Sequence, residues 1–134
     1  MRLLAALRRD GRGGAVIEFA LLAPLMFTIL LGLTEMGRML YVRQSLEYAT
    51  EQAARYYMLN PTTASSTVTT YLKSQMAGGM GTGITVAYTD TVNCNSNPGV
   101  TCTSITASYN FTFVAAFLGL SGVGMNAKAQ AVRY

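Results

Sequence analysis

The sequence predicts an α+β protein: a long N-terminal helix, half in a membrane and half outside it, a short second helix and a small three-stranded antiparallel sheet. Three observations carry this reading. The run "GAVIEFALLAPLMFTILLGLT", residues 14–34, is apolar and long enough to cross a bilayer. Apolar residues then recur at helical spacing as far as an Asn-Pro pair. Beyond a glycine cluster they switch to strict alternation, the period of a half-buried strand.

The first 13 residues form a basic leader. They hold Arg2, Arg8, Arg9 and Arg12 against Asp10, so they supply +3 of the chain's net charge of +4. The remaining residues are nearly balanced. Positive charge packed before an apolar run is the signature of a cytoplasmic flank, which puts the N-terminus inside and everything after about Glu35 outside. This placement also removes the argument for nucleic-acid binding that the overall charge would otherwise make.

At about 1.5 Å per residue, the 21 residues Gly14–Thr34 span roughly 31 Å, the thickness of a hydrocarbon core. Glu18 is the only charge in the run. A cleaved secretory signal fits poorly, because the run is too long, carries a carboxylate and lacks an A-x-A site at its end. The helix continues outside the membrane over 35–59. Met39, Val42, Leu46, Ala49, Ala53 and Tyr56 follow a 3,4,3,4,3 spacing, an apolar stripe read here as an assembly surface. Glu51 and Arg55 stand at i,i+4 in the favourable orientation. Asn60-Pro61 stops the helix, because the residue before proline avoids the α region.

A second helix is expected over 62–77, with Val68, Tyr71, Leu72 and Met76 on its apolar face and Gly78-Gly79 as its stop. Strands are expected at about 83–90, 104–114 and 124–133. The segment "FVAAFLGL" is too short to cross a membrane and reads as a strand end and apolar turn, or as a partner surface. Three strands alone are marginal, so the outer half of the long helix must supply the other wall of a core. Cys94 and Cys102 are the only cysteines, and two thiols without histidine cannot complete a zinc site. In an exported region they form a disulfide, worth about 2.5 kcal/mol for so short a loop; in a reducing compartment they stay free.

A carboxylate near the centre of a membrane helix costs roughly 2.5–3.5 kcal/mol, and less near an end. Glu18 is therefore either functional or snorkelling at the helix start, where the dipole favours an anion. The residues around it favour a function. The stretch "GGAVIEFALLAPLMFTILLGLTEMGRMLYVRQSLEYATEQAARYYM", residues 13–58, resembles the TadE-like family of small pilin-like proteins of tight-adherence pili. The resemblance lies in Gly13, the Glu18-Phe19-Ala20 triplet, Pro24 within the membrane helix, the Glu35-Met36-Gly37-Arg38 exit, and Ala53-Ala54-Arg55-Tyr56 near the helix end.

This resemblance implies a pilin-like fold and processing by a prepilin peptidase. Prepilins carry the glutamate at position five of the mature chain, so the cut falls between Gly13 and Gly14, with a cut after Gly14 ranked second. The implied division is a cleaved leader at 1–13, a membrane half at 14–34 and an extracytoplasmic domain at 35–134. Glu18 and Phe19 would serve peptidase recognition and then assembly. The new α-amine of Gly14 lies about one helical turn from Glu18, and pairing them lowers the cost of burying either charge. Pro24 removes a backbone donor and is expected to kink or loosen the helix, although membrane helices tolerate proline.

The implied role is a minor pilin or pseudopilin of a Tad-type pilus, acting in pilus assembly, adhesion and biofilm formation. Its implied partners are the peptidase, other pilin subunits, the inner-membrane assembly platform and membrane lipid. The alternatives are an uncleaved single-pass envelope binding protein and a type II secretion pseudopilin. An enzyme is not expected. The chain has no histidine, two distant aspartates (Asp10 and Asp90) and no phosphate-binding or dinucleotide fingerprint, and no cofactor is implied.

Overall fold

The structure is a computed structural model that describes residues 13–96, 98–114, 119 and 122–134. The leader up to Arg12 and most of the expected apolar turn lie outside the described residues. Helix α1 covers Gly14–Leu59 and α2 covers Ser65–Gln75. Strands β1 (Ile84–Val92), β2 (Thr101–Phe111) and β3 (Val123–Arg133) form one antiparallel sheet in the order β1-β2-β3. The α+β arrangement read from the sequence is the one present. The described chain divides into two compact units between Met36 and Gly37.

Both ends of α1 fall where glycine and Asn60-Pro61 place them. Helix α2 is shorter than expected. The amide of Thr63 donates to the Asn60 carbonyl (3.0 Å), which prolongs the proline turn, and Ala64 is extended at φ −63°, ψ 142°. The helix therefore starts only at Ser65. Met76 is extended again, and Gly78 and Gly79 adopt φ 65° and 72°, a region glycine enters at little cost. Gly81 has a different reason to be glycine: a Cβ there would collide with the backbone of Lys73. The glycine cluster thus folds back tightly on the end of α2.

The second unit has one core. Val42, Leu46, Ala49, Ala53 and Tyr57 of α1 join Val68 and Leu72 of α2, Ile84 of β1, Ile105, Ala107 and Phe111 of β2, and Met125, Ala127 and Ala131 of β3. The paired registers Val86↔Ala107↔Ala127 and Tyr88↔Ile105↔Ala129 put these side chains on one face of the sheet. The other face carries Thr85, Thr89, Ser108, Asn126, Lys128 and Gln130 and is polar. Alanine at Ala49, Ala53, Ala107, Ala127 and Ala131 lets backbone elements approach closely, while Leu46, Ile105 and Phe111 fill the volume between them.

Polar groups at this core are satisfied locally. The buried Thr50 hydroxyl donates to the Leu46 carbonyl at 2.7 Å. Ser45 accepts the Ala77 amide at 3.1 Å and so ties the start of the glycine cluster to α1. Tyr88 meets Thr69 (2.8 Å) and the Ser65 carbonyl (3.1 Å), holding the first turn of α2 over the edge strand. Burial pushes the Tyr88 hydroxyl above its ordinary value; the Thr69 bond opposes this shift and nearby Tyr57 adds to it.

Strand β2 starts earlier than its apolar alternation suggests, at Thr101 instead of 104, and ends at Phe111 instead of 114. Thr103 is buried through a polar network described below, and Cys102 is bonded to Cys94 with their Cα atoms 5.8 Å apart. The disulfide closes the β1–β2 connection. Within that connection the Cys94 amide donates to the Val100 carbonyl (3.2 Å), and the Gly99 amide to the Asn93 side chain (3.1 Å). Arg43 and Glu47 of α1 pair at 3.1 Å; both side chains are exposed, so the pair adds little.

Two outcomes test this account of the core. Leu46→Ala, at a fully buried position, is expected to cost about 2–5 kcal/mol, while Tyr48→Ala two residues away on the exposed side stays within about 0.5 kcal/mol. Chemical denaturation of the full chain in detergent measures both. Replacing Cys94 and Cys102 together by serine is expected to lower stability by about 2–3 kcal/mol, and reduction of the unmodified protein should reproduce that loss.

Candidate processing site and assembly surfaces

The first unit presents the membrane run without any core of its own. From Val16 to Leu33 its large apolar side chains are exposed around the whole circumference; Leu21 is 75% exposed, Phe19 64% and Ile29 55%. None of the run's most apolar window is buried, and α1 is long and apolar enough to cross a membrane. Leaving a dozen such side chains in water would forfeit about 1.5–3 kcal/mol each, so this helix needs lipid or other apolar helices around it.

The polar groups in the run are suited to that environment. Thr28 donates to the Pro24 carbonyl (2.8 Å). Thr34 donates to Leu30 (3.0 Å) and Leu31 (2.9 Å), so neither hydroxyl needs water. Pro24 lies inside α1, which continues through it. Its missing N–H deprives the Ala20 carbonyl of its helical donor, and the Thr28 bond to the proline carbonyl is of a kind that bends helices.

Gly13 and Gly14 sit at the start of α1, and Glu18 and Phe19 follow one turn later, all exposed. A Cβ placed on Gly13 or Gly14 would meet nothing within 4 Å, and neither residue has a positive φ. Among the described residues nothing crowds either position, in contrast with Gly81; Gly32 and Gly37 of α1 are equally open. Glu35 at the far end of the unit is buried, at 8% exposure.

The apolar stripe Met39–Tyr56, read from the sequence as an assembly surface, lies mostly against the core of the second unit. Val42, Leu46, Ala49 and Ala53 are between 0% and 2% exposed, and Met39 and Tyr56 are half-buried. Four of the six stripe residues are thus taken up by the core of the second unit, and Met39 and Tyr56 pack at its edge. The exposed apolar side chains of the same helix segment are Leu40, Tyr41, Tyr48, Met58 and Leu59.

Two arginines organise the second unit in ways a single sequence does not display. Near the chain connection, Arg38 donates to the Thr112 carbonyl at 2.7 Å and lies 4.7 Å above the Phe111 ring. It fixes the end of β2 to the first turn of the unit. At the other end, Arg133 of β3 donates to Thr103 (3.1 Å), Asp90 (3.2 Å) and the Pro61 carbonyl (3.4 Å), and lies 4.5 Å above the Tyr57 ring. Thr103 in turn donates to Asp90. One side chain thus joins all three strands, α1 and the turn after it. The neighbouring Tyr56 stacks on Tyr71 with centroids 4.5 Å apart, seating α2. The segment Ala53–Tyr57 is therefore the docking point for the rest of the domain. Its signal in the sequence was the dense Ala-Ala-Arg-Tyr-Tyr cluster.

Residues 13–55, about a third of the chain, match the family model described as TadE-like protein. No match was found among curated proteins or among solved structures. The matched segment contains Gly13, Glu18, Pro24, the Glu35–Arg38 exit and the first three residues of the Ala53–Tyr56 cluster, so the resemblance read from these residues is met by an independent comparison.

Arg38→Ala is expected to lower the stability of the second unit by about 1–2 kcal/mol, through the lost carbonyl bond and the lost ring contact. Arg38→Lys should recover only part of this, because an ammonium lacks the planar face that lies over Phe111. Thermal unfolding of the two variants beside the parent protein measures the difference.

Proposed function

We propose, from the TadE-like character of residues 13–55, that the chain is a minor pilin or pseudopilin of a tight-adherence pilus and has a structural role without catalysis. In this reading a prepilin peptidase cuts between Gly13 and Gly14. The subunit is held in the bacterial inner membrane by the first unit, with its N-terminus cytoplasmic and its second unit periplasmic. It then joins other pilin subunits or the assembly platform in building a fibre for adhesion and biofilm formation.

The observation that carries the reading is the conjunction at the start of α1. Two glycines with open space around them stand five and four residues before the sole carboxylate of the exposed apolar run 14–34. A protease that binds its substrate in extended form gains from residues with no side chain and little commitment to helix. After the cut, the free amine of Gly14 and the carboxylate of Glu18 sit about one turn apart. They can neutralise each other within a subunit or between neighbours, which reduces the cost of carrying Glu18 into an apolar surround.

The disulfide supports the placement of the second unit outside the cytoplasm, because such bonds persist in oxidising compartments. The arginine-rich leader supports the same orientation.

The intact mass and N-terminal sequence of the protein from its native membrane, with and without the peptidase, test the reading. A peptidase-dependent start at Gly14 is expected, and Gly13→Val should abolish it while leaving the unfolding of the second unit unchanged. A chain that still begins at Met1 beside an active peptidase would overturn it in favour of an uncleaved envelope protein. Glu18→Ala is expected to impair processing or piliation; a variant cut normally that supports normal pili would remove the role assigned to Glu18.

A further inference from the structure

We propose that the polar face of the sheet holds a binding site for an oxyanion borne on a sugar, a phosphate or carboxylate group met by Lys128 and the hydroxyls beside it. The site lies wholly within the second unit and does not rest on the reading of α1 as a membrane anchor.

The register of the sheet assembles it. Thr89, Ser104 and Gln130 stand in one cross-strand row, and Thr106 and Lys128 in the next, all on the face turned away from the core. Neighbouring strands lie about 4.8 Å apart and same-face residues along a strand about 7 Å, so one ligand can reach all of these groups. With Thr91 they line an open hollow of about 410 Å³. Ser104 supplies an independent sign of a ligand. Its hydroxyl oxygen is buried and has no hydrogen-bond partner among the described residues. A buried hydroxyl is costly unless a polar group meets it.

Charge and donor chemistry select the ligand. Lys128 is the sole charged side chain that the three strands place on this face. Asp90, the one acidic residue of the strands, shares the opposite face with Thr103 and is paired with Arg133. A cation with no carboxylate beside it favours an anion. The ammonium offers three N–H donors, the Gln130 amide two and each hydroxyl one, a set that matches the several acceptor oxygens of a phosphate or carboxylate. The body that carries the anion must be polar as well, because no aromatic or large aliphatic side chain lines the hollow. The Gln130 carbonyl and the lone pairs of the threonine hydroxyls remain to accept from the hydroxyls of a sugar.

Titration of the isotope-labelled full chain in nonionic detergent, read by the backbone amide shifts of the strands, tests this. The probes are glucose 6-phosphate, glucuronate, inorganic phosphate and neutral glucose. Saturable shifts centred on Thr89, Ser104, Lys128 and Gln130 are expected with glucose 6-phosphate or glucuronate, and the tighter of the two identifies the anionic group. Inorganic phosphate should bind more weakly, and glucose should leave the spectrum unchanged. Lys128→Met is expected to weaken binding about tenfold or more, while Lys73→Met on α2 leaves it as it was. Ser104→Ala should weaken it several-fold without lowering the Tm. Shifts that miss the hollow, that glucose reproduces, or that Lys73→Met reduces as much as Lys128→Met would overturn the inference, as would inorganic phosphate binding as tightly as the sugar phosphate. A Ser104→Ala protein that is more heat-stable yet binds like the parent would overturn it too, since the hydroxyl would then be only a packing defect.

Discussion

The packing of one face of α1 against a three-stranded sheet is the constraint on which the rest of the second unit depends. The sheet has a single apolar face, and both β1 and β3 are edges. Among the described residues, Ile105, Ala107, Phe111 and Ala131 have no other large apolar surface to bury against than the two helices. Val42, Leu46, Ala49 and Ala53 supply it, and α2 completes the enclosure through Val68 and Leu72. The helix is therefore not a stalk to which a separate domain is attached. Removing it would expose the inner face of a sheet too small to stand alone.

This use of α1 divides its circumference. The face turned to the sheet is committed before any partner arrives. What stays exposed is the first unit and the opposite face of the later half of α1, around Tyr41 and Tyr48. The same division explains the two arginines. A short helix–sheet contact is easily pried open at its ends, and Arg38 and Arg133 lie at those two ends, each joining a ring face to a backbone carbonyl. The pair bracket the apolar centre, where no polar side chain could contribute without a buried partner.

Much of this was legible in the chain. The ends of α1 could be read because glycine and Asn60-Pro61 punctuate it, and the sheet because its apolar positions alternate. The apolar stripe on α1 announced that something covers it. Periodicity alone could not say whether that cover was a neighbouring subunit or the chain's own sheet. The early start of β2 escaped for a related reason. Thr103 is polar by type yet buried, because Asp90 and Arg133 satisfy it. Arg133 reaches Asp90 across 43 positions, and Arg38 reaches Thr112 across 74. Such partners are set by topology and have no local signature.

Glycine usage separates what the fold requires from what it does not. At Gly81 a side chain has no room, and at Gly78 and Gly79 the backbone lies where other residues are strained. At Gly13 and Gly14 neither condition holds. Glycine inside a helix is less favourable than alanine by about 1 kcal/mol, so even at a helix start Gly14 forgoes some helical stability that a side chain with open space around it would supply. Gly32 and Gly37, inside the same helix, are as open and carry the same cost, so open space alone does not single out the helix start.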